Sequence, residues 1–284
     1  MDIRSLSGIE KKVLYTSFIR AFADYDAPTP DHSALQKMLV RRGFNSSLSF
    51  AAFENGEPVS FTFNGTGFFN GKFTAYDTGT GTIPEYRKQG LAKRIFNESK
   101  PFLVSAGVNQ YLLEVLQHNT GAISLYRSLG FETVREFGYF YSPAAEIRKR
   151  QVTPDSIIEF GEISEPIIDL FSSFHDFRPS WQNSFEAVSR CPDDFVITTA
   201  AYHGRIIGYG IMEPASGDIT QIAVEHSFRR NGIGTTLLNQ MLDLNRFSSI
   251  KMINVEKTCH SLLGLAESFG WKSAGSQFEM ICKM

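Results

Sequence analysis

Two short stretches of this 284-residue chain have the make-up of an anion-binding turn. Arg87-Lys88-Gln89-Gly90-Leu91-Ala92, followed by Lys93, and Arg229-Arg230-Asn231-Gly232-Ile233-Gly234 share the form Arg-x-x-Gly-x-(Gly/Ala). Each follows a strand-like segment and precedes a helical pattern. A strand that enters a glycine turn and opens a helix gathers unpaired N–H groups at one point, where the helix dipole adds positive potential. Glycine lets the backbone approach a phosphate that a side chain would hold off. The chemistry expected there is the holding of a pyrophosphate. A single match is weak, because chance matches are common.

A second pair of landmarks strengthens the case. Leu125-Tyr126-Arg127-Ser128-Leu129-Gly130-Phe131 has a counterpart in Leu265-Ala266-Glu267-Ser268-Phe269-Gly270-Trp271. The offsets are 142 residues between Gly90 and Gly232 and 140 between Gly130 and Gly270. Solenoid units repeat every ~20–50 residues, so this is a duplicated domain. The polar, basic stretch 143–153 breaks the apolar periodicity, and two domains, 1–145 and 146–284, are predicted.

The elements that must position these turns follow one order in both halves. Ser7-Gly8-Ile9-Glu10 has capping-box spacing, and Ile9, Val13, Leu14, Phe18, Ile19 and Phe22 recur at helical intervals. Asp31 is a predicted cap of a second helix. Asn55-Gly56 and Asn70-Gly71 are hairpin signals that divide 48–83 into a three-strand antiparallel meander. A helix follows Gly90, then a strand at 111–116, a helix at 121–129 and closing strands at 131–141. The second half repeats this with helices at 165–174 and 183–189, strands at 195–202, 206–212 and 219–224, a helix after Gly232, a strand at 250–255 and a helix at 261–269. The predicted class is α+β, a mixed and mostly antiparallel sheet with flanking helices. Hairpin-linked strands before the turn argue against a Rossmann unit, whose strands are parallel, and no Gly-x-x-x-x-Gly-Lys-(Ser/Thr) is present at either turn.

Thr82-Ile83-Pro84-Glu85-Tyr86 and the turn that follows resemble the acetyl-CoA motif of the GNAT superfamily of N-acetyltransferases. Asn119, Ala122 and Tyr126 are similar to its next motif, Asn-x-x-Ala-x-x-x-Tyr, on a helix bordering the thioester. The second half matches at Ile222-Ala223-Val224 and at the turn Arg229, Arg230, Asn231, Gly232, Ile233 and Gly234. The resemblance covers nearly the whole chain and implies two tandem GNAT-like domains with acetyl-CoA as co-substrate. It implies that backbone N–H groups at Thr82 and Ile83 polarise the thioester carbonyl, and that Tyr126 protonates the departing thiolate. A phenol, pKa about 10, suits that role because it stays protonated at neutral pH. The position aligned with Tyr126 is Ala266, which has no proton to give, and Cys259 aligns with Asn119. The expectation is therefore a catalytic first domain and a second that keeps a cofactor-shaped groove but is degenerate or accessory; Cys259 and His260 read as packing and surface residues, with a substitute proton donor as the alternative.

Asp77 and Glu114 lie on strands beside the expected splay and are the candidate general bases, with a water relay as the alternative. Gly79 and Gly81 fit close approach by a ligand or a bulge. Phe61, Phe63, Phe68, Phe69 and Phe73 read as packing, and the loop from Phe174 to Trp181 as an acceptor wall or a domain contact. The three cysteines are odd in number and far apart, no histidine set has metal-ligand spacing, and no apolar run reaches the ~18 residues of a membrane span. A net charge of −2 offers no field for nucleic acid. These features predict a cytoplasmic protein without a metal, and the resemblance implies an enzyme that acetylates a primary amine on a small molecule or peptide by direct attack. Homodimerisation is left open. The rival reading is a non-catalytic acyl-CoA-binding or regulatory module.

Overall fold

The computed structural model describes residues 1–25 and 29–284. In chain order the elements are β1 (Asp2–Ser5), α1 (Lys11–Ala21), α2 (His32–Arg41), β2 (Phe50–Glu54), β3 (Glu57–Phe69), β4 (Lys72–Thr82), α3 (Leu91–Ser105), β5 (Gln110–Leu116), α4 (Thr120–Ser128) and β6 (Glu132–Pro143). They continue with β7 (Ile158–Ile163), α5 (Ile168–Ser172), α6 (Phe185–Ser189), β8 (Val196–Tyr202), β9 (Arg205–Glu213), β10 (Asp218–Val224), α7 (Ile233–Leu244), β11 (Ser249–Glu256), α8 (His260–Ser268) and β12 (Ser273–Lys283).

The chain forms two compact units, Met1–Val134 with Phe278–Met284, and Arg135–Gln277. A linear cut at 145 does not reproduce this division. The closing strand of each half is divided between the units: β6 begins in the first and runs on in the second, and β12 begins in the second and ends in the first. In the first unit the strand order is β1-β2-β3-β4-β5 and then the end of β12; in the second it is β6-β11-β10-β9-β8-β7. The strand pairing is mixed in each unit: the meanders are antiparallel, while β4 with β5 and β10 with β11 are parallel.

Local chemistry explains the frame. Asn55 and Gly56, Asn70 and Gly71, and His203 and Gly204 all take positive φ, which is the backbone of the tightest hairpin turns. The Asp31 carboxylate accepts from Ala34 N–H at 2.8 Å and caps α2. Ser7 does not cap α1, which starts at Lys11 behind Glu10 without a side-chain cap. In the first unit, Leu14, Phe18, Leu35, Phe61 and Phe63 form one buried layer, and Phe96, Leu103, Tyr111, Phe131, Met280 and Cys282 form another. Phe68 is not packing; it is 68% exposed. Gly81 is explained by close approach of α1, since a Cβ there would lie 2.8 Å from the Phe61 ring and 3.0 Å from Ala21.

Candidate functional site

The two turns have the same backbone. Lys88 and Gly90 in one, and Arg230 and Gly232 in the other, take positive φ. The first backbone bonds of the following helices run from Arg94 N–H to Gly90 O and from Thr236 N–H to Gly232 O. The N–H groups of each first turn, at Leu91, Ala92 and Lys93 and at Ile233 and Gly234, therefore have no acceptor within their own helix. Lys88, Gln89 and Lys93 are exposed beside the first turn, as are Arg230 and Asn231 beside the second.

The motif arginines are bonded to carboxylates and carbonyls of the chain itself. Arg87 donates from Nε to Thr82 O at 3.0 Å, to both oxygens of Asp24 at 2.5 and 2.7 Å, and to Ala21 O at 2.9 Å. Arg229 repeats this with Val224 O at 2.8 Å, both Asp176 oxygens at 2.8 Å, and Phe174 O at 2.9 Å. Both guanidinium groups bolt the loop after a helix to the end of the central strand. Ile83 N–H is committed too, donating to Val59 O at 3.0 Å. Asn119 accepts from Ala122 N–H at 3.1 Å, a helix cap on α4.

In the first unit, β4 and β5 pair only from Thr74 with Gln110 to Tyr76 with Leu112, and then part. Alternation along that register puts Asp77 and Tyr111 on the face of α3 and α4, and Glu114 with Tyr76 on the opposite face. Tyr126 Oη donates to Asp77 Oδ2 at 2.9 Å, and Thr80 Oγ1 donates to the same oxygen at 2.8 Å. Burial raises the Asp77 carboxyl above its usual range against the pull of those bonds, and burial with the nearby Asp77 charge pushes the Tyr126 phenol well above 10. Glu114 instead accepts from Tyr76 Oη. Of the three candidate catalytic residues, Tyr126 and Asp77 are therefore brought together and Glu114 is not. The cavity between Asp77, Thr80, Ala92, Leu125 and Tyr126 measures about 10 Å³, room for roughly one water.

The second unit is open at the same place. β10 and β11 pair at Asp218 with Lys251 and then diverge, and β11 is irregular between Met252 and Val255, with Asn254 at φ +57°. A groove of about 450 Å³ passes between them, within the range of roughly 300–1,000 Å³ typical of small-molecule sites. On the side of α7 and α8 it is walled by Ile222, Val224, Gly232, Ile233, Gly234 and Leu265. On the side of α5 and α6 it reaches His175, Asn183, Tyr209 and Gln221. Arg150 and Val152, from the segment that the sequence marked only as a polar linker, line the mouth. That segment is held on α7 by Asn239, which donates to Arg150 O at 2.7 Å and accepts from its N–H at 3.3 Å.

A sequence profile of the acetyltransferase (GNAT) family matches residues 13–131 and again 164–271, most of the chain. The chain belongs to the GNAT family. Thialysine N-epsilon-acetyltransferase of Sus scrofa is 27% identical over 133 residues, 42% of this chain and 76% of that protein. Among solved structures, a tandem GNAT protein from the clavulanic acid biosynthesis pathway aligns at TM-score 0.75 and 12% identity, covering 99% of this chain and 98% of its own. A GCN5-related N-acetyltransferase from Sphaerobacter thermophilus aligns at 0.70 and 15%, covering 99% and 95%. At such identities the structural likeness establishes the fold, a tandem GNAT architecture.

The groove of the second unit ends in polar residues, of which the sequence reading had singled out only His175, within the loop from Phe174 to Trp181. Tyr209 lies between two glycines on β9, Gln221 directly precedes the apolar run Ile222-Ala223-Val224 on β10, and Asn254 interrupts β11; these were the available signals. Cys259 lines the groove while His260 does not, and burial pushes the Cys259 thiol up, so it is a thiol and not a thiolate. Ala266 is fully buried and contributes no polar atom. Among the described residues no group of three or more His, Cys, Asp or Glu side chains is placed to hold a metal ion, and no helix is long and apolar enough to cross a membrane.

Proposed function

We propose that the chain transfers the acetyl group of acetyl-CoA to a primary amine by direct attack, and that the groove of the second unit holds the acyl donor. The observation that carries this reading is the 450 Å³ passage from the Gly232 turn, between the parted β10 and β11, to a polar cluster on the other face. Acetyl-CoA supplies an activated acyl thioester. The first-turn N–H groups at Ile233 and Gly234 suit its pyrophosphate, with Arg230 and Arg150 beside them, and the apolar wall of Ile222, Val224 and Leu265 suits its pantetheine arm. Burial holds Cys259, a cysteine lining the groove, as a thiol, which favours a ternary complex over an acyl-enzyme on that residue. The first unit has the family's tyrosine but a cavity too small for the arm.

Ala266 at the tyrosine's aligned position favours a second reading, a non-catalytic acyl-CoA-binding module. Thiol release from acetyl-CoA across a panel of amines, with acetyl-CoA affinity measured in parallel, separates the two. Turnover with at least one amine supports the enzyme; tight binding without release on any amine supports the module.

A further inference from the structure

The polar cluster at the inner end of the groove has one consistent set of proton positions. Asn183 O is a carbonyl and can only accept, so the Gln221 amide turns its Nε2 towards it, at 2.6 Å. Gln221 Oε1 then faces Tyr209 and accepts its hydroxyl at 2.6 Å. With its proton given to Gln221, Tyr209 Oη is left as an acceptor for His175 Nε2, which lies within hydrogen-bond reach. Neutral His175 therefore carries its proton on Nε2 and its lone pair on Nδ1. The ring stacks on Phe185 at 5.7 Å, and the loop bearing it is bolted on both sides, at Phe174 and Asp176, by Arg229 from the glycine turn.

We propose that His175 is the general base of the second unit, accepting the acceptor amine's proton on Nδ1, with Tyr209, Gln221 and Arg229 as positioning residues. This rests on the reading of that groove as the acyl-transfer site. An amine arriving as ammonium has two protons to lose. One passes to Nδ1 and on to solvent. The freed lone pair then forms the C–N bond to the acyl carbon, the C–S bond breaks, and the second proton passes to the departing sulfur. The balance needs no tyrosine at position 266.

The charged and titratable groups around His175 are Asp176 on its own loop, Arg229 and His226 of the turn through Asp176, Tyr209 on β9 and Cys259 before α8. Gln221, Asn183 and Phe185 are uncharged. Burial holds the imidazole below its usual range, against the opposing pull of Gln221 and Asp176, so the base form is present at neutral pH.

The test pairs kinetics with spectroscopy on the full chain. His175→Gln keeps an N–H for Tyr209 but no base. It should lower kcat/KM for a responsive amine by about 10²–10⁴-fold, leave acetyl-CoA affinity within about twofold, and regain rate as pH rises and free amine accumulates. In the wild type, ¹⁵N-histidine spectra should show the Nε2–H tautomer protonating below 6.5, and Tyr209→Phe should mix the tautomers. Wild-type turnover that His175→Gln leaves unchanged across pH overturns the base alone, as does an Nδ1–H tautomer. A wild type that binds acetyl-CoA but releases no thiol with any amine overturns the transfer reading and the base with it. Absence of acetyl-CoA binding overturns the groove assignment, while the tautomer measurement still decides the proton positions.

Discussion

Replacing Arg229 with alanine removes the bolt that joins the Gly232 turn to the His175 loop. The lost contacts are a pair to Asp176 and single bonds to Phe174 O and Val224 O, all 2.8–2.9 Å. Hydrogen bonds involving a charged group contribute about 1.5–3 kcal/mol each when dry. The Arg229 side chain is 22% exposed and Asp176 25%, so water replaces part of this and about 1 kcal/mol per partner is the better figure. Three partners give about 3 kcal/mol. At roughly 3–4 °C per kcal/mol for a unit of this size, the melting temperature of the second unit should fall by about 10 °C. Both tryptophans of the chain, Trp181 and Trp271, are buried in that unit, so their fluorescence reports its unfolding selectively. Arg229→Lys, which reaches fewer of the partners at once, should fall between the wild type and the alanine variant. A melt of Arg229→Ala within about 2 °C of the wild type would refute the clamp.

Other outcomes follow from the same geometry. Tyr126→Phe removes the 2.9 Å bond to Asp77 and should cost the first unit about 1 kcal/mol in a urea titration while leaving thiol release unchanged; a fall in kcat of tenfold or more returns the chemistry to the first unit. A chain ending at residue 145 lacks the Phe278–Met284 strand, and with it Met280 and Cys282 of the first unit's core. It should aggregate or lack a cooperative melt, and a well-folded monomer would contradict the strand exchange. Asp176 is held below its usual range because bonds from Ser261 and Arg229 outweigh the burial that would raise it. Its folded pKa is depressed, so its contribution is present above the unfolded value near 4 and is lost as pH falls through the folded value. Asp176→Asn should therefore narrow the wild type's advantage in tryptophan-detected melts below about pH 4, and an advantage that is flat through that range would contradict the assignment.

Much of the frame was legible in local chemistry. The Asn-Gly hairpins, the Asp31 cap and the doubled glycine turn each depend on residues adjacent in sequence. Ser7 carries a capping-box pattern, but the helix begins later and the pattern is not used. The exchange of β6 and β12 could not be read, because a strand's own alternation does not name its neighbour. The parallel register of β4 on β5 separates Asp77 from Glu114, and that register is set by packing. Arg87 and Arg229 look like phosphate ligands in a motif, yet their partners Asp24 and Asp176 lie more than fifty residues away. Above all, one tyrosine pattern is compatible with a catalytic acid and with a side chain that closes a cavity. The Tyr126 bond to Asp77 joins residues 49 apart in sequence, and the pattern does not encode it.

The central claim, that the acyl donor binds in the second unit, is tested most directly by a calorimetric titration of acetyl-CoA against three proteins. Gly234→Glu and Ala92→Glu place the same carboxylate at the second residue of each helix, and neither position has positive φ. A carboxylate roughly 4–8 Å from a phosphate at an effective dielectric of about 20 costs about 2–4 kcal/mol, or roughly 30- to 1,000-fold in affinity. The account predicts one acetyl-CoA per chain for the wild type and for Ala92→Glu, and binding weakened by that factor for Gly234→Glu. Two sites per chain, or binding lost in Ala92→Glu and kept in Gly234→Glu, would contradict it.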